Sequence, residues 1–210
     1  MLRSMAARQT GRPPSTSSTG STGTAGTAGR ILDVAERLVQ TSGFNGFSYA
    51  DISADLNITK ASLHHHFATK AELGRALIVR YSEVFSGALE AIDRKGGSPL
   101  AKLERYAKLY EDVLRGERLC LCGMLAAEYG TLPHPLQEEI RRFFDVNEVW
   151  LAEIVEQGRR AKVFHSRGTS REVARMLISA LEGAMLVARP YSDVARFASA
   201  AKQVLAGLAK

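Results

Sequence analysis

Apolar side chains recur at three- and four-residue steps through most of the chain after Gly29, the spacing of helices that bury one face. Ile31, Leu32, Ala35, Leu38 and Val39 share such a face and predict a first helix over Ala28–Ser42, ended by Gly43 as a C-terminal glycine. Ser48, with Asp51 three residues on, makes a capping-box-like pair for a short helix through Leu56, whose Ile52 and Leu56 point inward at i, i+4. Asn57 falls where the chain must turn, and Asn enters the left-handed region more readily than most residues. Ile58 plugs the turn, Thr59 is placed to cap a second short helix over about Lys60–Phe67, and Leu63 and Phe67 hold that helix to the core.

From Lys70 onward the helical period continues with no convincing strand. Thr69-x-x-Glu72 is a second capping box and opens a long helix to about Arg94, with Leu73, Leu77, Tyr81, Val84, Ala88 and Ile92 on one face. Gly96-Gly97 stops it, and Ser98-Pro99 starts the next helix with a cap and an N1 proline. A segment from about Leu119 to Tyr129 is apolar all round, which predicts burial. Thr131–Pro135 breaks the pattern before a long helix to about Lys162. Thr169-x-x-Glu172 opens another to about Arg189, and Ser192 is placed to cap a last helix through about Leu208. The expected fold class is all-α, with three small helices over residues 27–69 and six more over residues 70–210.

The short helix from Lys60 buries two residues and leaves Lys60, Ala61, Ser62, His64 and His65 outside, all short, polar or cationic. Such a face suits the DNA major groove, where base edges present donors and acceptors. Ser48, Tyr49 and Thr59 flank it, and Lys70 is expected nearer a phosphate, which completes the candidate DNA contacts. In order and spacing, Phe44, Phe47, Ser48, Ile52, the Ile58-Thr59 turn and the run Leu63–Leu73, with Phe67 and Lys70, resemble the DNA-binding domain of the TetR family of one-component bacterial repressors. The succession of three small helices and six more extends that resemblance over nearly the whole chain. Two positions depart from it. Asn57 stands where the family commonly has Gly, and His64 where it commonly has Tyr, so a phosphate contact from a Tyr hydroxyl would have to come from a His nitrogen.

Totals narrow the picture further. The chain has 210 residues, 45% of them hydrophobic, which is ample for a buried core. No apolar run approaches the roughly 18 residues that a membrane span needs, and the N-terminus lacks the apolar stretch of a signal peptide. A formal charge of +6 permits nucleic-acid binding without requiring it. Two cysteines make no disulfide framework, so a reducing cytoplasm is the expected setting. Residues 1–26 are of low complexity, and Arg3, Arg8 and Arg12 have no acidic partner before Asp33. Such a segment cannot bury enough apolar surface to offset its ordering entropy. It reads as a disordered basic arm, with an alternative use along phosphates or in the minor groove once DNA arrives.

Other chemistries are poorly served. His64-His65-His66 suggests a metal, but consecutive helical residues fan out by about 100° and cannot converge on one ion, so no metal is expected. No nucleophile elbow organises the Ser, His and Asp residues. The Gly-rich stretch before Ile31 follows no strand and makes no phosphate loop, and no cofactor is expected. Cys120 and Cys122 leave two readings open. Both are small core residues, or one faces a ligand cavity or senses electrophiles, with Arg115 and Arg118 close enough in sequence to favour a thiolate. The segment CLCGMLAAE, Cys120–Glu128, more weakly resembles the acrylate-responsive branch of the TetR family.

The family resemblance implies an effector cavity among the helices from Lys70 to Arg189. Tyr81, Tyr106, Tyr110, Tyr129 and Trp150 are candidates to line it, as polar-tipped aromatics at helical positions. Cys120, Cys122, Met124, Glu128, Met176 and Glu182 complete the mix expected of a small-molecule pocket, mostly apolar with a few polar groups. In the last two helices Ala180, Ala184 and Val187 form a small-residue face, while Val194, Phe197, Ala201, Val204, Leu205 and Leu208 form a stripe that must be covered. A two-fold homodimer through these helices covers it; packing on the protein's own core is the alternative. The expected function is a homodimeric, ligand-released repressor, not an enzyme, whose partners are a double-stranded DNA operator and a small-molecule effector. A cysteine-based enzyme or scavenger of small electrophiles is the rival from another class, and an architectural DNA binder with little sequence preference is the third reading.

Overall fold

The computed structural model describes residues 26–209. The arm expected over residues 1–26 lies outside them but for Gly26. Every regular element among the described residues is helical: α1 (Thr27–Ser42), α2 (Tyr49–Leu56), α3 (Lys60–His66), α4 (Lys70–Lys95), α5 (Pro99–Arg115), α6 (Leu121–Ala127), α7 (His134–Arg160), α8 (Ser170–Ala188) and α9 (Val194–Ala206). The segment expected to be one apolar helix over Leu119–Tyr129 is shorter, with Cys120 as its N-cap and a single 3₁₀ turn, Tyr129–Thr131, after it.

Side chains at the helix ends account for most of these boundaries. Ser48 accepts from the Ala50 amide at 3.2 Å while the Asp51 carboxylate takes the Ser48 amide at 2.7 Å, a reciprocated capping box. Asn57 adopts φ 51° and ψ 48°, the left-handed turn the sequence required of it. Thr59 accepts from Ser62 at 3.1 Å. Thr169 and Glu172 form a second full box. Thr69 does only half as much: it accepts from the Glu72 amide, but the Glu72 carboxylate reaches past it to the Ala68 amide at 3.1 Å. The last helix is capped by Asp193, which accepts from Ala195 at 2.9 Å, and not by Ser192, whose φ of 48° ends the preceding turn. Two adjacent polar residues carry the same capping signal, and only the path of the chain separates them.

One core runs from Ile31, Ile52 and Leu63 of the small module, through Leu73, Leu77 and Ile78 of α4, into the bundle. The largest packing faces join α7 to α8, α8 to α9, α4 to α7 and α5 to α9. That last contact decides the α9 stripe. Phe197, Ala201, Leu205 and Leu208 are buried within the protomer, and Val194 and Val204 are partly so. The alternative of intramolecular packing therefore holds for this face, because α5 and α8 already cover it. On α8, by contrast, Met176 and Val187 remain 46% and 61% exposed.

Candidate DNA-binding face and effector cavity

The module α1–α3 holds α3 largely through polar side chains at its helix ends. The Tyr49 hydroxyl donates to the Phe67 carbonyl at 2.9 Å, tying the start of α2 to the end of α3. Burial, helped by the nearby Glu72 carboxylate, pushes that phenol up to about 12, so it stays a neutral donor. His64 packs its ring on Tyr49, centroids 4.8 Å apart, and sets Nδ1 3.0 Å from the Ala68 carbonyl. Ser48 and Thr59 are occupied as caps. Lys70, expected beside a phosphate, turns its ammonium inward to the carbonyls of Phe44 and Phe47 and lies over both of their rings. Burial lowers its pKa, opposed by the Glu128 and Asp51 carboxylates. Two carbonyls in the tight α1–α2 connection need donors, and the packing of α4 brings Lys70 within their reach.

The exposed side chains on α3 are Lys60, Ala61, His64, His65 and His66, with Ser62 half-buried beside them. Lys60, Ala61, Ser62, His64 and His65 were among the expected groove residues, and they lie on one short, doubly anchored helix. His65 and His66 meet edge to face, and among the described residues no cluster of three or more His, Cys, Asp or Glu side chains is disposed to hold a metal ion.

A cavity of about 430 Å³ opens where α1 meets the bundle. Its wall includes Tyr81, Phe85, Tyr110, Cys120 and Met185, and Asp33, Glu36, Arg80 and Arg118 supply its charged rim, with the buried Gln40 beside them. Tyr81, Tyr110 and Cys120 thus fall where an effector pocket was expected. Tyr106, Cys122 and Glu182 sit behind that wall. Tyr106 donates to Asn147 Oδ1 at 3.1 Å, its oxygen lies 3.1 Å from the Tyr110 hydroxyl, and Trp150 stacks on its ring while donating to Asp93 at 2.8 Å. Burial, reinforced by the Glu182 carboxylate, raises both thiols well above the ordinary range, so neither cysteine is poised as a thiolate. Burial likewise raises Glu182, to about 7.

The other expected cavity residues lie elsewhere. Met176 is on the outer face of α8. Met124 lies toward Arg189, whose guanidinium is 3.8 Å from its sulfur. Tyr129 offers its backbone carbonyl to Gln137 at 2.9 Å. Glu128 has the most distinct role: its carboxylate accepts from the amides of Phe44 at 2.6 Å and Asn45 at 3.2 Å, at the end of α1. Gly43 makes room for it, since φ there is +80° and a Cβ would come within 2.7 Å of Glu128 Oε1. Gln40 and Arg80 were not singled out in the sequence, and Arg118 only as a basic neighbour of the cysteines. Arg80 bridges Asp33 at 2.7 Å and Glu36 at 2.8 Å across α1. Gln40, buried on α1, accepts from Arg118 Nη1 at 3.3 Å, and its carbonyl takes the Leu119 amide at 3.1 Å. Partners 78 residues apart leave no local trace.

A three-helix module with an outward short helix, hydrogen-bonded to a helical bundle through the rim of a cavity, defines a ligand-responsive DNA-binding regulator. Residues 31–77 match the family described as "Bacterial regulatory proteins, tetR family", and residues 99–204 match "Tetracyclin repressor-like, C-terminal domain". The chain belongs to the TetR family of transcriptional regulators. Among solved structures it is similar to a TetR-family regulator from Agrobacterium tumefaciens, with 31% identity and a TM-score of 0.84 over 87% of this chain and 97% of that one. A TetR regulator from Legionella pneumophila is 30% identical with a TM-score of 0.81, covering 89% of this chain and 99% of that one. The transcriptional regulator AcuR of Cereibacter sphaeroides is 28% identical over 136 residues, 63% of this chain and 58% of that protein, so the match spans little more than half of that relative.

Proposed function

We propose that the protein is a cytoplasmic homodimeric repressor that binds a palindromic operator through α3 and is released when a small molecule enters the cavity. The observation that carries this reading is the shared rim. The cavity mouth is built partly from α1, the helix on which α2 packs, and Gln40–Arg118 and Arg80–Asp33–Glu36 cross between the two. An effector with different affinity for two arrangements of that rim shifts the population of the DNA-binding form. Lys60, Ser62 and His65 are the residues we take to read base edges. Two α3 helices related by a dyad would address half-sites about 34–36 Å apart, one duplex turn, or a multiple of that.

The dimer is proposed to form through the outer face of α8, with the exposed surface of α9 beside it. Met176 and Val187 are large apolar side chains on that face, and Ala184, Ala188, Ala195 and Ala200 line a shallow hollow between the two helices. The raised thiols of Cys120 and Cys122 disfavour the enzyme or scavenger. No helix among the described residues is long and apolar enough to cross a membrane.

Selection of binding sites from random DNA by the purified chain tests the reading. The expected product is a pair of inverted half-sites whose preference at one base relaxes in His65→Ala. Uniform binding to all sequences would instead indicate an architectural DNA binder.

A further inference from the structure

The two arginines on the charged rim of the cavity differ in what they hold. Arg80 is fully engaged: its guanidinium donates to Asp33 at 2.7 Å, to Glu36 at 2.8 Å and to the Gly29 carbonyl at 3.3 Å. Arg118, half-buried in the turn between α5 and α6, forms no ion pair among the described residues. Of its five N–H donors, Nη1 reaches the neutral Gln40 Oε1 at 3.3 Å. A guanidinium only donates, so this contact fixes the Gln40 side chain with its oxygen on Arg118 and leaves its amide nitrogen to donate elsewhere. Gln40 is 1% exposed, yet that nitrogen finds no acceptor among the described residues. Both side chains line the cavity. Two adjacent donors, one of them charged, thus face it without an anion from the protein's described residues.

The rest of the wall keeps its polar atoms to itself. The Tyr81 hydroxyl donates to the Cys120 sulfur at 3.8 Å, the Cys120 amide donates to the Met185 sulfur at 3.2 Å, and the Tyr110 hydroxyl lies 3.1 Å from that of Tyr106. What these residues and Phe85 offer a guest is apolar surface. Asp33 and Glu36 share Arg80, which leaves their end of the rim with one net negative charge. An anionic head therefore belongs at Arg118 and not at Arg80.

We propose that Arg118 and Gln40 form a head-group subsite in the cavity for a monocarboxylate carried on an apolar body the size of an aromatic ring. This rests on the cavity being the effector site. A carboxylate there accepts from the guanidinium and from the Gln40 amide, and charge-assisted hydrogen bonds of this kind are roughly twice as strong as neutral ones. The body lies among Tyr81, Phe85 and Tyr110, whose rings favour offset or edge contacts with another ring. The cavity, at about 430 Å³, has room for it, since apolar cavities of about 150 Å³ already take benzene. A three-carbon acid such as acrylate would leave most of that volume unfilled. Size thus sets the chain apart from the acrylate-responsive branch that Cys120–Glu128 resembles. The subsite also lies on a seam: the Leu119 amide, next to Arg118, donates to the Gln40 carbonyl at 3.1 Å. A head group bridging the two side chains acts where the α5–α6 turn is tied to α1.

The test is titration calorimetry of the full chain with four probes: benzoate, benzamide, toluene and propionate. Benzoate should bind about tenfold or more tightly than benzamide or toluene, the usual gain from hydrogen bonds to a charged group. It should also outbind propionate, which keeps the head and loses the ring. Added salt should weaken benzoate and leave benzamide unchanged. In Arg118→Gln, benzoate should fall to the level of benzamide while toluene binding persists. Arg118→Lys should fall between, because an ammonium keeps the charge without the planar fork. Gln40→Glu is the second variant if Arg118→Gln disturbs the turn: the added carboxylate takes Arg118 for itself, so benzoate binding should be lost and toluene binding kept. Benzamide binding as tightly as benzoate, or benzoate affinity unchanged in both Arg118→Gln and Gln40→Glu, would overturn the anionic head group and leave the repressor reading, which is judged on DNA, intact. Propionate binding as tightly as benzoate would overturn the ring-sized body. Failure of all four probes to bind would overturn the inference and count against the cavity as effector site.

Discussion

Around α3, polar side chains are spent on helix ends and carbonyls at the edge of water: Ser48 on Ala50, Thr59 on Ser62, Tyr49 on Phe67, His64 on Ala68. Around Glu182 the polar groups face one another inside the bundle, and one of them lacks a partner. The two regions have similar chemistry and opposite energetics. A polar group in water can be exchanged at small cost to the fold, and its value shows only when DNA replaces the water. A polar group sealed in the bundle costs stability for as long as the protein is folded.

The strongest test of this contrast exploits the two faces of the last helices. Ala201→Glu would put a charge into the protomer's own core and should abolish folding or cost at least several kcal/mol in denaturation. Val187→Glu, on the exposed face of α8, should keep its helical circular dichroism and sediment as a monomer. A folded, monomeric Ala201→Glu would show that the α9 stripe belongs to the interface after all.

Next in size is the pH dependence from Glu182. Burial pushes its pKa in the folded state up to about 7, from an ordinary carboxylate value of 4.5. The folded state therefore holds this proton more tightly than the unfolded one, and stability from this group is fully present below about pH 4.5 and lost as pH rises through 7. The loss is on the order of 3 kcal/mol. Glu182→Leu should remove it, so the variant gains on the wild type between pH 5 and 8 in urea denaturation. A constant difference across that range would mean the carboxyl is not sealed.

The clasp between the two regions should matter less. Glu128→Gln removes a charged acceptor from the Phe44 and Asn45 amides, with an expected cost of about 2 kcal/mol. The effect should appear as faster hydrogen exchange at those two amides before any change in the bundle. His65→Ala completes the series. It should leave stability within about 0.5 kcal/mol while lowering discrimination at one operator base by about 1–3 kcal/mol. Equal losses in specific and non-specific DNA binding would remove His65 from the set that reads bases.

Much of the fold is written in short stretches. Ser48–Asp51, Asn57, Thr59 and Thr169–Glu172 act on backbone within four residues, so their geometry follows from sequence once the helix is granted. The period of apolar residues says which face of each helix is buried, because a face is a property of one helix. It does not say what covers that face. The α9 stripe was expected at a partner subunit, with the protein's own core as the alternative, and only the packing of the bundle assigns it to α5 and α8. Lys70 is a plain cation in sequence; its inward turn depends on the carbonyls of Phe44 and Phe47 converging 23 to 26 residues earlier in the chain. Glu128 at Phe44, Arg118 at Gln40 and Glu182 at Gly123 are likewise meetings between helices. Local propensity fixes direction within a helix, whereas hydrogen bonding and desolvation act at contact distance, and contact between distant segments exists only once the helices have packed.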